Sequence, residues 1–383
     1  MTGKDLNLSL VDRQDELDAL AERLLSVPAF GVDTEANSLY RYRARVCLIQ
    51  ISIPGQDYVV DPLAVDPRPL GPAFASASVQ KVMHAGEYDV MCLRRDYGFQ
   101  FRSLFDTMLA ARIVGLPEFG LGALLQQYFG VRSDKRFQRA DWGQRPLTDV
   151  HLTYAALDSH YLLQLRDLLQ PELARHGALE EADRAFAGVC RVFWHAKPFD
   201  RHGYVRLPGA RALDRSQLSV LRELYLWREA TAESVDRPAF RVARPDLLVR
   251  LSQMQPRTKA ALQMLIGNRE RWLQERAAEV VECIRRGREA QGAVLPAEPG
   301  RPRRRRQRRG RTYQRLNRWR KDLASQLGIR VDQVLSSESL ELLLEHRPRT
   351  RDELASVARM DPAQADEHGE VILELLRPAG GDG

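Results

Sequence analysis

Cysteine is scarce in this chain of 383 residues: Cys47, Cys92, Cys190 and Cys283 stand far apart. No Cys/His cluster has the spacing of a zinc site, so any metal must be held by carboxylates. With neither a disulfide framework nor an apolar signal segment over the first five residues, a reducing cytoplasm is the expected compartment. No stretch approaches the ~18–20 uninterrupted apolar residues that a membrane span needs. A Gly-x-x-x-x-Gly-Lys-Ser/Thr phosphate loop is also missing, which removes P-loop ATPase and helicase chemistry. What the chain has in excess is positive charge, 58 Lys and Arg against 51 Asp and Glu, and that points to a polyanionic partner, nucleic acid before a membrane surface. The length implies two or three domains.

Leu17, Leu20, Ala21, Leu24 and Leu25 recur at helical spacing after Asp12, a candidate N-cap, and Pro28 closes that helix. An apolar strand follows and reaches Asp33 and Glu35. The run Val46 to Ile53, the turn Pro54-Gly55 and Tyr58 to Val60 form a hairpin on that strand. A short strand at Lys81 to His84 and a helix from Glu87 come next, and another helix begins at Leu104-Phe105-Asp106-Thr107, with Asp106 as its N-cap. Helical and strand periods alternate to about Leu169, the pattern of an α/β layer fold with an antiparallel edge.

Acids collect at the junctions. Side chains alternate along a strand, so Asp33 and Glu35 share a face. Two carboxylates so placed repel unless a cation sits between them, although acid-x-acid pairs also occur on solvated strand ends. Asp89 follows an aromatic at a strand-to-helix junction, where ligands of open α/β sheets collect. Tyr154 and Asp158, four apart on a clear helix, present a phenol and a carboxylate to one place. His84, at a strand end, reads as a structural residue.

As a set, Asp33-x-Glu35, Asp89 and Tyr154-x-x-x-Asp158 resemble the three motifs of the DEDD exonucleases, tyrosine subtype. Leu104-Phe105-Asp106-Thr107, Lys135, Asp141-Trp142 and Arg145-Pro146-Leu147 are similar to segments of the ribonuclease D family. The resemblance covers roughly the first 170 residues. It implies an α/β ribonuclease H-like exonuclease domain with a mixed sheet. It also implies that Asp33, Glu35, Asp89 and Asp158 bind two divalent ions, Mg2+ or Mn2+, and that Tyr154 orients or deprotonates the attacking water. Because a phenol titrates near 10, its expected part is chiefly positioning. Lys135, Arg136 and Arg139, beside Phe137 and Trp142, make a basic and aromatic segment suited to a single RNA strand. A solvated loop around a buried Trp is the alternative.

After Leu169 the chain reads helical and matches itself at an offset of 92 residues. Leu224, Trp227, Arg228 and Ala232 recur as Leu316, Trp319, Arg320 and Ala324, and Pro256-Arg257-Thr258 as Pro348-Arg349-Thr350. Two copies of one small all-α domain are expected, each resembling the HRDC module shared by RecQ helicases and ribonuclease D. Between them, Arg303, Arg304, Arg305, Arg306, Arg308 and Arg309 form a basic run that has nothing to bury, repels itself and suits sequence-independent RNA binding.

The expected organisation is an exonuclease domain over 1–175, a helical connector over 176–208 and a first HRDC domain over 209–290. A Gly/Pro- then Arg-rich linker over 291–311, a second HRDC domain over 312–378 and a tail over 379–383 follow. The expected function is that of a 3'-5' exoribonuclease acting on RNA with a free 3' end, tRNA precursors first, and releasing nucleoside 5'-monophosphates. A DNA 3'-5' exonuclease and a non-catalytic RNA-binding protein are the rivals. No sequence pattern sets an oligomeric state, and a monomer is the expectation.

Overall fold

A computed structural model describes residues 6–132, 136–192, 194, 199–267, 271–290, 303–327, 331–358 and 362–377. The first domain is a six-stranded mixed sheet of β1 (Leu8–Val11), β2 (Ala29–Ala36), β3 (Val46–Ile53), β4 (Gln56–Val60), β5 (Gln80–Met83) and β6 (Leu104–Asp106), ordered β1-β4-β3-β2-β5-β6. Only β3 runs against the others, and it lies inside the sheet. The expected antiparallel edge is not an edge: β3 is flanked by β2 and β4, and β1, unread in the sequence, pairs beyond β4 and makes that strand interior as well. The helices are α1 (Gln14–Leu25), α2 (Gly71–Ala75), α3 (Glu87–Tyr97), α4 (Thr107–Ile113), α5 (Leu121–Phe129), α6 (Asp149–His160), α7 (Leu162–Arg175) and α8 (Leu179–Cys190).

Two local expectations change. Arg13, not Asp12, is the N-cap of α1, and its side chain makes no capping bond. Leu104 to Asp106 is a strand before it is a helix, while Asp106 does cap α4, accepting from the Met108 and Leu109 amides. Phe30, Val32, Ile49 and Ile51, on one sheet face, join Leu17, Leu20 and Leu24 of α1 in the main core. The other face carries Gly31 and Asp33 on β2 and Ser52 and Gln50 on β3, and it lies under α6 and α7. Glycine is needed at 31: a Cβ there would stand 2.7 Å from the Ser159 carbonyl oxygen. The same layer is tied down by a buried network in which Ser52 Oγ donates to Asp57, Ser159 Oγ meets Ser52 Oγ at 2.7 Å and His160 Nδ1 meets Asp57 at 2.8 Å.

Two helical domains follow, each with its own core. The first contains α9 (Arg215–Ser234), α10 (Ala239–Val242), α11 (Pro245–Met254), α12 (Lys259–Ile266), α13 (Arg271–Glu275) and α14 (Ala277–Glu289). In the second are α15 (Arg303–Leu327), α16 (Val331–Val334), α17 (Ser337–His346), α18 (Arg351–Ala358) and α19 (Pro362–Leu376). The 92-residue repeat is structural: Gln255 and Arg347 both end helices in the left-handed conformation, and Arg228 and Arg320 are both buried. Thr258 and Thr350 likewise both accept from a backbone amide three residues on. The basic run departs from expectation, since the backbone of Arg303 to Gly310 continues α15 N-terminally. Arginine is a good helix former, and extending an existing helix avoids the nucleation cost that a separate one would meet.

The β2–β3 connection docks on the first helical domain. Tyr42 Oη donates to Glu229 at 2.7 Å, Arg43 pairs with Glu233 at 2.8 Å, and Asp236 accepts from the Tyr42 and Arg43 amides. Arg241 donates to the Leu39 carbonyl at 2.6 Å and places its guanidinium 4.2 Å from the Tyr40 ring centroid.

Candidate active site

Three elements bring the acids together. Asp33 and Glu35 occupy the C-terminal half of β2, Asp89 the first turn of α3, and Asp158 the last turn of α6. Strand alternation puts Thr34 on the opposite face from Asp33, and its hydroxyl donates to the Asp89 carboxylate, fastening α3 to β2. Asp89 is buried, and the other three are half-buried.

Burial pushes the Asp33 carboxyl well above the usual range, and the neighbouring Asp89, Asp158 and Glu35 add to it. Burial, then Asp158 and Asp89, raises Glu35 to about 9. Burial also lifts Asp89 to about 6, against the lowering effect of its bond from Thr34, and Asp158 to about 7. Among the described residues, no arginine or lysine figures in the main influences on these four carboxyls, which are burial and, for Asp33 and Glu35, one another's charge. Oxygen donors gathered in this way suit a hard divalent cation such as Mg2+ or Mn2+. As the side chains stand, no three metal-ligating groups among the described residues converge on one point. The chemistry of the donor set fits a cation, and side-chain rotation is needed to close on one.

Tyr154 lies one helical turn before Asp158 on α6, its ring stacked on Trp142 at 5.9 Å and tilted against Phe137 at 5.4 Å. Arg136 stands 5.8 Å from the centroid of the Phe137 ring, and the Arg139 carbonyl accepts from Tyr40 Oη at 2.5 Å. This segment therefore sits against Tyr154, whereas Lys135 lies outside the described residues. A cavity of about 350 Å³ opens beside Tyr154 and Asp158, lined also by Leu125, Val131, Phe137 and Thr153. It is large enough for a small ligand. A wider groove of about 630 Å³ along Pro62 to Arg68 contains none of the predicted site residues. The arginines from Arg303 to Arg309 lie on α15, and the described structure gives their backbone alone.

Sequence reasoning passed over two polar neighbours of the acids, Thr34 and Gln50. Thr34 lies between Asp33 and Glu35 in sequence, and its bond to the distant Asp89 left no local signal. Gln50 is the one amide in the otherwise apolar centre of β3 (VCLIQISI), and that misfit was the available signal. His84 behaves as expected of a structural residue: Nδ1 lies 2.9 Å from Thr107 Oγ1, and burial lowers it to about 4.

Residues 8–174 match the family described as 3'-5' exonuclease, and residues 217–284 and 310–376 match the HRDC domain. The exosome complex component 10 homolog of Caenorhabditis elegans is 30% identical over 293 residues, 75% of this chain and 33% of that protein. The chain thus spans about a third of that curated relative's length. The crystal structure of the catalytic core of RRP6 from Trypanosoma brucei superposes with a TM-score of 0.69 and 25% identity, covering 75% of this chain and 81% of that one. Escherichia coli RNase D, whose structure is described as that of an exoribonuclease involved in structured RNA processing, shares the fold, with a TM-score of 0.65 and 23% identity over 97% of this chain and 99% of that one. This chain carries a 3'-5' exonuclease domain built on a mixed six-stranded sheet, followed by two helical HRDC domains.

Proposed function

We propose that the chain is a metal-dependent 3'-5' exoribonuclease that shortens structured RNAs from free 3' ends, tRNA precursors first among them. The observation that carries this reading is the meeting of Asp33, Glu35, Asp89 and Asp158 from three elements, where they raise one another's pKa, with Tyr154 one helical turn from Asp158. Asp33, Glu35, Asp89 and Asp158 would hold two divalent ions, Mg2+ or Mn2+. Bound there, such ions offset phosphate charge and lower the pKa of an attacking water.

The remaining chemistry belongs to the chain. Water adds to the terminal phosphorus, the bond from phosphorus to the 3' oxygen of the preceding nucleotide breaks, and that oxygen takes up a proton. A nucleoside 5'-monophosphate leaves, and the shortened RNA ends in a new 3' hydroxyl. Tyr154, held by Trp142 and Phe137, orients the water through its hydroxyl. The neighbouring cavity of about 350 Å³ has room for the terminal nucleoside, and Arg136 and Arg139, in the segment whose Phe137 packs on Tyr154, would meet the phosphates of the incoming strand. The HRDC domains and the Arg303 to Arg309 run add phosphate contacts away from the chemistry.

Likeness to an exosome component and to RRP6 favours a second reading, in which the same activity works within a larger RNA-processing assembly. One experiment tests the core proposal: product analysis on a 3'-extended tRNA and on matched RNA and DNA oligomers, with Mg2+ or Mn2+. Mononucleotides released from RNA, lost in chelator and in Asp33→Asn while RNA binding persists, are expected. Shortening of DNA alone refutes the substrate class. Undiminished activity of Asp33→Asn refutes the mechanism.

A further inference from the structure

Five buried side-chain atoms among the described residues lack a hydrogen-bond partner, and three of them belong to the layer between the sheet and α6: Gln50 Nε2, Gln50 Oε1 and Trp142 Nε1. Gln50 is the extreme case. It is fully buried on β3, and neither end of its amide is satisfied. A buried amide without partners is costly to a fold, and an apolar side chain of similar shape would avoid that cost. The cost stands out against the next position on the same face, where Ser52 is bonded to both Asp57 and Ser159.

The register identifies what the amide faces. Gln50 is paired directly across from Asp33 in the antiparallel β2–β3 ladder. Side chains so paired lie on the same face with their Cβ atoms about 5 Å apart. On its other side Gln50 faces Val59 of β4, which offers no side-chain hydrogen bond. Above it, α6 contributes Tyr154, Ala155 and Ala156 to the layer. The polar side chain set against the amide across the ladder is therefore the Asp33 carboxylate.

We propose that Gln50 is a positioning residue for Asp33: its Nε2 donates to the Asp33 carboxylate when that group turns to bind a divalent ion, and so selects the ligating orientation. This rests on the metal-dependent reading above. Carboxylates that bind metals are themselves held by hydrogen bonds, and loss of such a support characteristically weakens metal binding 10- to 100-fold. Asp89 already has its support in Thr34. Gln50 would give Asp33 the equivalent, a bond absent before the side chains rearrange. The unsatisfied amide is thus a stability cost in the resting protein that metal binding relieves.

The test is Gln50→Met in the full chain, a substitution that keeps length and volume and removes both polar ends. Calorimetric titration with Mn2+ is expected to show binding about tenfold weaker than wild type. The thermal midpoint in chelator should be equal or higher, and kcat on an RNA oligomer should fall with KM unchanged. Mn2+ affinity equal to wild type overturns the proposal, as does a lower midpoint in chelator, which would mark the amide as a structural group of the resting fold. A wild-type chain that binds no Mn2+ overturns the metal-dependent reading itself. Wild-type binding matched by the variant overturns this proposal alone.

Discussion

His84 is expected to make the exonuclease domain acid-sensitive, and the size of the effect follows from its surroundings. The Thr107 hydroxyl donates to the Met83 carbonyl at 3.1 Å, so His84 Nδ1 must carry the proton it shares with Thr107 Oγ1. Burial opposes a second proton and lowers the folded value from 6.5 to about 4. The unfolded chain takes up that proton near pH 6.5, and the folded chain only near pH 4. Stability from this residue is therefore complete above pH 6.5 and lost as the pH falls towards 4. At 1.36 kcal/mol per pH unit the complete loss is about 3 kcal/mol, with about 1.4 kcal/mol gone at pH 5.5. Asp106 nearby, raised by burial and held by the Ala85, Gly86, Met108 and Leu109 amides, titrates with the opposite sign. The measurement is for that reason a difference between wild type and His84→Asn, which keeps a donor amide and cannot titrate. Hydrogen exchange of β2 and β5 amides between pH 7.5 and 4.5, corrected for intrinsic rates, reports the opening free energy of this unit. The two proteins should agree within error at pH 7.5 and diverge on acidification, wild type losing more. Parallel pH profiles would refute the assignment of a neutral buried imidazole.

Two further outcomes are expected. Gly31→Ala places a methyl 2.7 Å from the Ser159 carbonyl oxygen and 3.2 Å from Leu162 Cβ, so β2 must separate from the α6–α7 junction. A loss of about 1–3 kcal/mol in stability is expected, with reduced nuclease activity as Asp158 moves away from Asp33; an unchanged thermal midpoint would show that the layer yields without cost. Replacing Arg303, Arg304, Arg305, Arg306, Arg308 and Arg309 by Gln should flatten the dependence of log affinity for single-stranded RNA on log salt by up to about 4. An unchanged slope would show that the run meets no phosphate.

The grouping of the candidate residues was legible because their spacing expresses two local periods. Alternation along β2 placed Asp33 with Glu35, and one helical turn placed Tyr154 with Asp158. Asp89 was legible as the acid of a strand-to-helix junction. The sheet was less so. β1 has four residues and β6 three, too few to display a period of two, and both were passed over. It is β4 that leaves the sheet edge through β1 pairing with it across 48 intervening positions, a long-range choice with no local trace. The HRDC repeat was visible because its shared positions are apolar and core-forming. The start of α15 was not, since a run of arginine reads equally as a solvated tether or as an extension of a neighbouring helix.

The β2–β3 connection shows why the acids cannot be understood from their own strand alone. It leaves β2 two residues after Glu35 and reaches the first helical domain through Tyr42, Arg43 and the Leu39 carbonyl. Within the same loop Tyr40 is contacted by the Arg241 guanidinium and donates to the Arg139 carbonyl, in the segment that packs on Tyr154. The helical domain is thus bonded to a loop whose one end carries Asp33 and Glu35 and whose middle holds the basic and aromatic segment. Individually these are surface contacts, each worth about 1 kcal/mol or less. Together they act on a single loop of fixed length, so the strand and the Tyr154 segment cannot shift independently of each other or of the helical domain. The docking therefore bears on the geometry of the site more than on the stability of either domain.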